Sequence, residues 1–209
     1  MRCPPIEEAT YQWLKRRIGR CHLDQRLGIE RDYEARIFGQ GLNFFHIENW
    51  YSVHYVIRNS LRAMLLHGRG RRNARRIQLR ENAVSLAGLP AAFDGFRILQ
   101  VSDLHLDMAG DIPAALIAAV GPLQYDTCVL TGDFRAKTFG PYDAALAALK
   151  QVKAHLSGPV YGVLGNHDSI QMVPSMEQLG IRMLLNESVA VQQGDATLFL
   201  AGIDDPHYY

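Results

Sequence analysis

Cysteine and long apolar runs are scarce in this 209-residue chain. The three cysteines, Cys3, Cys21 and Cys128, are odd in number and show no CxxC spacing. This excludes a disulfide framework and a thiolate zinc knuckle, and it favours a reducing compartment. No stretch approaches the roughly 18 apolar residues of a membrane span, and the N-terminus lacks the apolar core of a signal peptide. We therefore expect a cytoplasmic protein, either free or peripheral to the inner face of the membrane.

Charge is present in both signs but is unevenly distributed. Residues 1–97 carry 17 Lys and Arg against 9 Asp and Glu, a net charge of +8, whereas residues 98–209 carry 5 against 12, a net charge of −7. This asymmetry suggests a basic segment that meets an anionic surface, joined to an acidic domain that can hold cations. Two solvated faces of opposite sign explain the same counts without any function.

Residues 1–76 are predicted to form a helical, basic N-terminal extension. Residues 5–20 and 24–37 have the pattern of short helices, and the apolar positions of residues 47–66 recur at the spacing of one amphipathic helix. The arginine-rich segment 67–76 follows, and this combination is typical of an interfacial segment on anionic lipid. Packing on the next domain is the alternative. Nucleic acid is disfavoured as a partner, because no groove-reading motif or stacking platform accompanies the arginines.

From residue 77 to residue 209 the pattern changes to strands that alternate with helices, which defines the second predicted domain. Strands are predicted at 77–86, 96–103, 126–133 and 159–166, and helices at 112–123 and 142–156. The remainder is predicted to form a short helix and three short antiparallel strands. Repeated βαβ units predict an α/β fold with a parallel sheet covered on both faces and with ligand-binding loops at the carboxyl ends of the strands.

Polar side chains follow three successive strands of this predicted sheet. They are Asp103 and His105, then Asp133, then Asn166, His167 and Asp168. One such cluster is often only a turn or a helix cap, but three in order on adjacent strands are far more specific. Carboxylate, imidazole and amide ligands suit Mn, Fe or Zn. Two divalent ions held by two aspartates leave a positive charge that a hydroxide and a phosphodiester neutralise, so the charges favour phosphate chemistry.

Three motifs carry a resemblance to a known family: DLH at 103–105, GD at 132–133 and GNHD at 165–168. Together they resemble the signature of the calcineurin-like metallophosphoesterases. The resemblance implies a four-layer α/β sandwich, preceded here by the helical extension, and two divalent metal ions (Mn, Fe or Zn). By the same resemblance Asp103 and His105 bind the first ion, Asp133 bridges both and Asn166 binds the second. His167 and Asp168 are then the catalytic candidates, with His167 steadying or protonating the leaving group.

A narrower resemblance concerns the substrate. The segment LPAAFDGFRILQVSDLH before the first motif, and GIDD at 202–205, are similar to membrane-associated phosphoesterases, including hydrolases of UDP-diacylglucosamine. This likeness implies a phosphate ester that is lipid-linked or nucleotide-linked.

The chain departs from the family pattern in two places. Ala136 stands where many members have a carboxylate that orients the catalytic histidine, and the flanking Arg135 and Lys137 are expected to offer positive charge to a substrate phosphate. The family's later histidine and its GHxH-like segment do not occur before Tyr209. We therefore expect a C-terminally truncated, incomplete sandwich that lacks several ligand histidines.

Two functional hypotheses follow. The first is a metallophosphoesterase that hydrolyses phosphomonoesters or phosphodiesters through a hydroxide activated by two metals, with activity impaired by the missing ligands. The alternative is a catalytically silent binding or membrane-tethering module that retains part of the metal site.

Overall fold

The computed structural model describes residues 5–39, 51–74 and 76–204. Its helices are α1 (Glu8–Ile18), α2 (Arg20–Gly39), α3 (Tyr51–Ala63), α4 (His67–Ala74), α5 (Ile112–Val120), α6 (Asp143–Lys153) and α7 (Val173–Gln178). Its strands are β1 (Ile98–Ser102), β2 (Thr127–Thr131), β3 (Val160–Val163), β4 (Arg182–Met183), β5 (Glu187–Gln193) and β6 (Ala196–Gly202). Residues 47–50 of the predicted amphipathic helix and Asp205 of the GIDD motif lie outside the described residues.

A parallel sheet with strand order β1-β2-β3-β4 forms the centre of the fold. Leu99 of β1 is in register with Cys128 of β2, which is in register with Val160 of β3. Helix α5 connects β1 to β2, helix α6 connects β2 to β3, and the two helices contact each other. Successive crossovers in one direction place connecting helices on the same face of a sheet. The predicted α/β class with a parallel sheet and a helical N-terminal region is confirmed.

The two faces of the parallel sheet differ in burial at the edge strand β1. On one face Leu99, Cys128 and Leu130 are buried in the same core as Leu149 of α6. Side chains alternate between faces along a strand, so the neighbouring positions of β1 lie on the opposite face, where Ile98 remains 56% exposed. Helices α5 and α6 contribute Leu116, Val120 and Leu149 to the core on the first of these faces.

Strands β5 and β6 form an antiparallel hairpin that is separate from the parallel sheet. Gly202 at the end of β6 lies against Val163 of β3 and Leu184, so the hairpin begins to pack beside the sheet at this point. The prediction of three antiparallel strands in this region is wrong for the first of them, because β4 pairs with β3 in parallel. The helix α7 between β3 and β4 allows the chain to return in the same direction.

Residues 77–86 do not form the predicted strand. The segment carries no regular secondary structure, and its apolar side chains Ile77, Leu79, Val84 and Leu86 are all exposed. An isolated strand gains no ladder hydrogen bonds and no cross-strand packing, so an alternating pattern needs a neighbouring strand to become one. Within the described ranges no strand pairs with this segment.

Helices α1 and α2 pack onto the α/β part, in agreement with two helices predicted at 5–20 and 24–37, although α2 begins earlier, at Arg20. Leu14, Leu23 and Leu27 belong to the same buried cluster as the parallel sheet. The guanidinium group of Arg17 donates to the carboxylates of Glu177 and Glu187 at 2.6 and 2.7 Å, and also to the carbonyl of Met183. Both helices therefore share one core with residues far along the chain.

We predict that Leu23→Ala destabilises the whole α/β unit, because it opens a cavity in a core that α2 shares with the sheet. Truncation of a fully buried leucine costs about 2 to 5 kcal/mol of unfolding free energy. Urea denaturation is expected to show one transition at a lower midpoint, whereas Val84→Ala, at a side chain that is 72% exposed, changes stability by less than about 0.5 kcal/mol. A separate early transition confined to the helices would contradict the shared core.

Candidate metal centre

Asp103, His105 and Asp133 converge at the carboxyl edge of the parallel sheet. Asp103 and His105 follow β1, and Asp133 follows the adjacent strand β2. Each of the three offers one ligand atom, and these atoms all lie within 4.8 Å of one another. Nε2 of His105 is 3.8 Å from Oδ2 of Asp133. Two carboxylate oxygens and one imidazole nitrogen at this separation fit a divalent ion such as Mn, Fe or Zn.

The backbone at these three residues is held in an unfavourable conformation. The φ angles of Asp103, His105 and Asp133 are 52°, 38° and 54°, in the left-handed region that favours glycine. Such positions cost on the order of 1 to 3 kcal/mol each, and they persist where surrounding contacts impose them. Here the two loops are joined by hydrogen bonds from His105 N to the Asp133 carbonyl at 2.7 Å and from Leu106 N to the Phe134 carbonyl at 3.0 Å. Strain gathered at three polar residues is typical of a functional site.

The two histidines of the motifs are oriented by main-chain carbonyls. Nδ1 of His105 lies 2.9 Å from the Arg135 carbonyl, and Nδ1 of His167 lies 3.0 Å from the Ala136 carbonyl. A carbonyl only accepts, so each Nδ1 carries the proton and each Nε2 is left as the free lone pair. This is the arrangement in which histidines commonly bind metals. The imidazole rings are 4.9 Å apart, edge to face.

Ala136 therefore orients His167 through its backbone, although its side chain lacks the carboxylate expected from the family pattern. The carbonyl oxygen accepts the Nδ1 proton as a carboxylate would, but it carries no formal charge. The absence of a carboxylate at position 136 therefore removes a negative charge from beside the imidazole ring of His167. The backbone carbonyl still specifies the orientation of the ring.

Asp168 is buried and bonds to the loops that follow β2 and β3. Its Oδ1 accepts from the backbone N–H groups of Phe134 and Arg135 at 2.9 and 3.4 Å, and its Oδ2 accepts from Gly165 N at 2.9 Å. Burial raises the pKa of Asp168 to about 6, although hydrogen bonds from the backbone of Gly165 and Arg135 act in the opposite direction. The Asp168 carboxylate thus contacts main-chain groups of the two loops that contain the candidate site residues.

Arg135 is not placed to bind substrate, which corrects the expectation from its position in the motif. The residue is 3% exposed. Its guanidinium donates to the carbonyls of His167, Thr138 and Gly140. Lys137, in contrast, has an exposed side chain with Nζ 5.7 Å from the centre of the Phe139 ring. Of the two expected cations, only Lys137 is accessible to a ligand.

The third loop brings Asn166 and His167 to the same edge, since both follow β3. Both residues are partly buried, and the backbone N–H of His167 donates to Oδ1 of Asp133 at 3.1 Å.

Asp107 is a further participant to which the sequence assigned no role. Its Oδ1 accepts from Ala136 N at 2.6 Å and so supports the loop that orients His167. In the sequence, the only sign of this role is that Asp107 is the second acid of the segment DLHLD.

Comparison with known proteins agrees with this geometry. Residues 96–205 match the family described as calcineurin-like phosphoesterase. The chain is also 32% identical over 127 residues to a protein of Bacillus subtilis (strain 168) named uncharacterized metallophosphoesterase YkoQ. That alignment covers 56% of this chain and 46% of the relative, so the chain spans about half the length of the relative it matches.

We predict that Gly165→Ala weakens metal binding, because a Cβ at this position would overlap Oδ1 and the backbone nitrogen of Asp133. Displacement of groups around a metal site typically costs about 10- to 100-fold in affinity. Calorimetric titration with Mn²⁺ measures the change. Gly110→Ala is the matched control, because a Cβ there meets nothing within 4 Å. Equal affinities for the two variants would show that Asp133 is not a ligand.

Proposed function

We propose that this chain, which belongs to the calcineurin-like phosphoesterase family, is a metal-dependent hydrolase of phosphomonoesters or phosphodiesters. The observation that supports this most is the convergence of Asp103, His105 and Asp133 at one edge of the sheet. Family membership suggests the reaction class. The alignment covers only 46% of the relative. The activity of the whole protein is therefore also part of the proposal.

In this proposal Asp103 and His105 would hold a first divalent ion, Asn166 would contribute to a second, and Asp133 would contribute to both. When bound, such ions supply a nucleophilic hydroxide at neutral pH and offset the negative charge of the phosphate. Asp133 suits the shared position because its Oδ1 is fixed by His167 N at 3.1 Å while its Oδ2 faces His105. The metals expected from the ligand types are Mn, Fe or Zn.

His167 is proposed as the group that stabilises or protonates the leaving oxygen. Its Nδ1 proton is held by the Ala136 carbonyl, which leaves Nε2 as the atom that can carry and deliver a second proton. Asp168 is proposed to act indirectly, by fixing the backbone at Phe134 and Gly165 from which the site is built. It is therefore a positioning residue, whereas His167 contacts the reacting group.

The proposed substrate is a phosphate ester with a lipid-linked or nucleotide-linked group, as the likeness to membrane-associated phosphoesterases and UDP-diacylglucosamine hydrolases suggests. Lys137 supports an anionic substrate, because its exposed ammonium group belongs to the loop whose carbonyl at position 136 orients His167. An ammonium ion pairs readily with phosphate as a point charge.

We predict that hydrolysis of bis(p-nitrophenyl) phosphate requires Mn²⁺ and is lost in Asp133→Asn. Replacing the carboxylate by an amide removes the charge that holds the ions, and a roughly 100-fold loss corresponds to about 2.7 kcal/mol of barrier. Asp195→Asn, at an exposed residue between β5 and β6, is the matched control and is expected to retain full activity. A wild-type chain that binds Mn²⁺ tightly yet hydrolyses neither monoesters nor diesters would favour the alternative, a catalytically silent module.

A second proposal concerns the segment 51–76, which contains seven arginines and no acidic residue. The structure describes α3 and α4 in this segment, and they contact each other. Apolar side chains stand exposed around them, namely Val56, Ile57, Met64, Leu65 and Leu66. No helix among the described residues has the length and apolarity to cross a bilayer. Exposed apolar groups beside clustered arginines fit the surface of an anionic membrane, and we propose a cytoplasmic protein peripheral to it.

We predict that the chain binds vesicles containing phosphatidylserine and that Arg69→Gln with Arg72→Gln weakens this binding roughly 30-fold, because each cation near the surface contributes about 1 kcal/mol. Arg20→Gln with Arg182→Gln removes two exposed charges elsewhere and serves as the control. Vesicle sedimentation in rising salt measures the effect, which screening should reduce. Equal binding to purely neutral phosphatidylcholine vesicles would contradict the electrostatic role.

A further inference from the structure

Helix α2 contacts three segments at the carboxyl edge of the parallel sheet, although it precedes the region that matches the family. The family match begins at residue 96, whereas α2 spans Arg20–Gly39. Its described side chains bond to residues near positions 140, 170 and 204, which are more than 100 positions away along the chain. The helix is therefore placed beside the candidate metal centre by specific polar contacts as well as by the burial of Leu23 and Leu27.

The first contact is made by Glu30 and concerns the loop that carries His167. One carboxylate oxygen of Glu30 accepts from the Ser169 hydroxyl at 2.6 Å, and the other accepts from Ile170 N at 2.8 Å. Ser169 is 1% exposed and follows His167 and Asp168 directly. Glu30 thus binds the chain at the point where it leaves the third motif, and a charged acceptor makes these bonds stronger than neutral ones.

The second contact is made by Glu34 and concerns the loop after β2. Oε1 of Glu34 accepts from Gly140 N at 3.0 Å. The carbonyl of the same Gly140 accepts from the buried guanidinium of Arg135, which also donates to the His167 carbonyl. Glu34, Gly140 and Arg135 consequently form a continuous series of hydrogen bonds from α2 to the loop of His167.

The third contact is a buried ionic group that includes Asp204, two residues after the end of β6. Nη1 of Arg26 lies 2.7 Å from Oδ1 of Asp204, and Nε2 of His22 lies 3.0 Å from Oδ2 of the same carboxylate. Arg26 also reaches Oε1 of Glu30, with Nε at 3.2 Å. Arg26 and Asp204 are 1% and 4% exposed. The ionic group therefore also holds Glu30, through the carboxylate oxygen that accepts from Ile170 N.

We infer that α2 is a positioning helix for the catalytic loops, with Glu30 as the residue that sets the place of His167. The inference rests on the proposed hydrolase function for its kinetic consequence. Its structural part, that Glu30 and Glu34 hold residues 134–140 and 165–172 in place, stands on the contacts alone. In this arrangement the N-terminal region contributes to turnover, in addition to any role of residues 51–76 at a membrane.

The test compares Glu30→Ala, Glu30→Gln and Arg17→Ala in the full chain. Arg17 also joins an N-terminal helix to the α/β part, but it bonds to Glu177, Glu187 and Met183, away from both loops. It is therefore the matched control for lost stability. With bis(p-nitrophenyl) phosphate and saturating Mn²⁺, Glu30→Ala is expected to lower kcat about 10- to 100-fold with little change in KM, as misplacement of a reacting group does.

Glu30→Gln is expected to recover most of kcat, because its amide oxygen can still accept from Ile170 N. Arg17→Ala is expected to lower the melting temperature and to leave kcat unchanged. Wild-type kcat in Glu30→Ala, or an equal loss in Arg17→Ala, would overturn the inference. If Glu30→Ala does not fold, Ser169→Ala replaces it in the comparison, because it removes one of the two hydrogen bonds that Glu30 accepts from this loop.

Hydrogen exchange measured by mass spectrometry separates this inference from the proposed function. Glu30→Ala is expected to speed amide exchange in residues 134–140 and 165–172, and Arg17→Ala is not. If the wild-type chain hydrolyses nothing, the proposed function fails, and selective exchange in these two segments still upholds the positioning role. Unchanged exchange in both segments would refute it whatever the activity.

Discussion

The carboxylate of Asp168 ties the end of β2 to the end of β3, and the candidate site depends on that tie. It accepts main-chain N–H groups from Phe134 and Arg135 on one loop and from Gly165 on the other. Gly165 passes so close to Asp133 that no Cβ fits between them. The separation of the two loops is therefore specified, and with it the placement of Asp133 beside His105 and His167. This arrangement buries Asp168, and the burial raises the pKa of its carboxyl group.

The orientation of the site comes from backbone groups more than from side chains. Carbonyls at positions 135 and 136 orient the two imidazoles, and the buried guanidinium of Arg135 fixes the carbonyls of His167 and Gly140. Backbone carbonyls are present whatever the residue type, so a substitution such as Ala136 can leave the geometry intact. Arg135, two positions after Asp133, serves this internal role and is only 3% exposed.

The sequence predicted the parts of the fold that depend on local pattern. Strands β1 to β3 and the polar residues at their ends follow from apolar runs that stop at Asp103, Asp133 and Asn166. The parts that depend on distant partners were not predictable. Residues 77–86 have a strand pattern without a partner strand, and β4 is too short to reveal its direction. Glu30 gave no signal, because its partner Ser169 lies 139 positions away along the chain.

All seven positive charges in residues 51–76 come from arginine, and this choice has a consequence for regulation. The guanidinium stays protonated at every physiological pH, so the charge that these seven arginines contribute does not change with the acidity of the cell. Acetylation neutralises lysine and has no target here. The arginine contribution to the proposed attraction of α3 and α4 for an anionic surface is therefore constant, and it is altered by a change in the surface or in the ionic strength, or by phosphate added to a hydroxyl group of the segment such as that of Ser52 or Ser60.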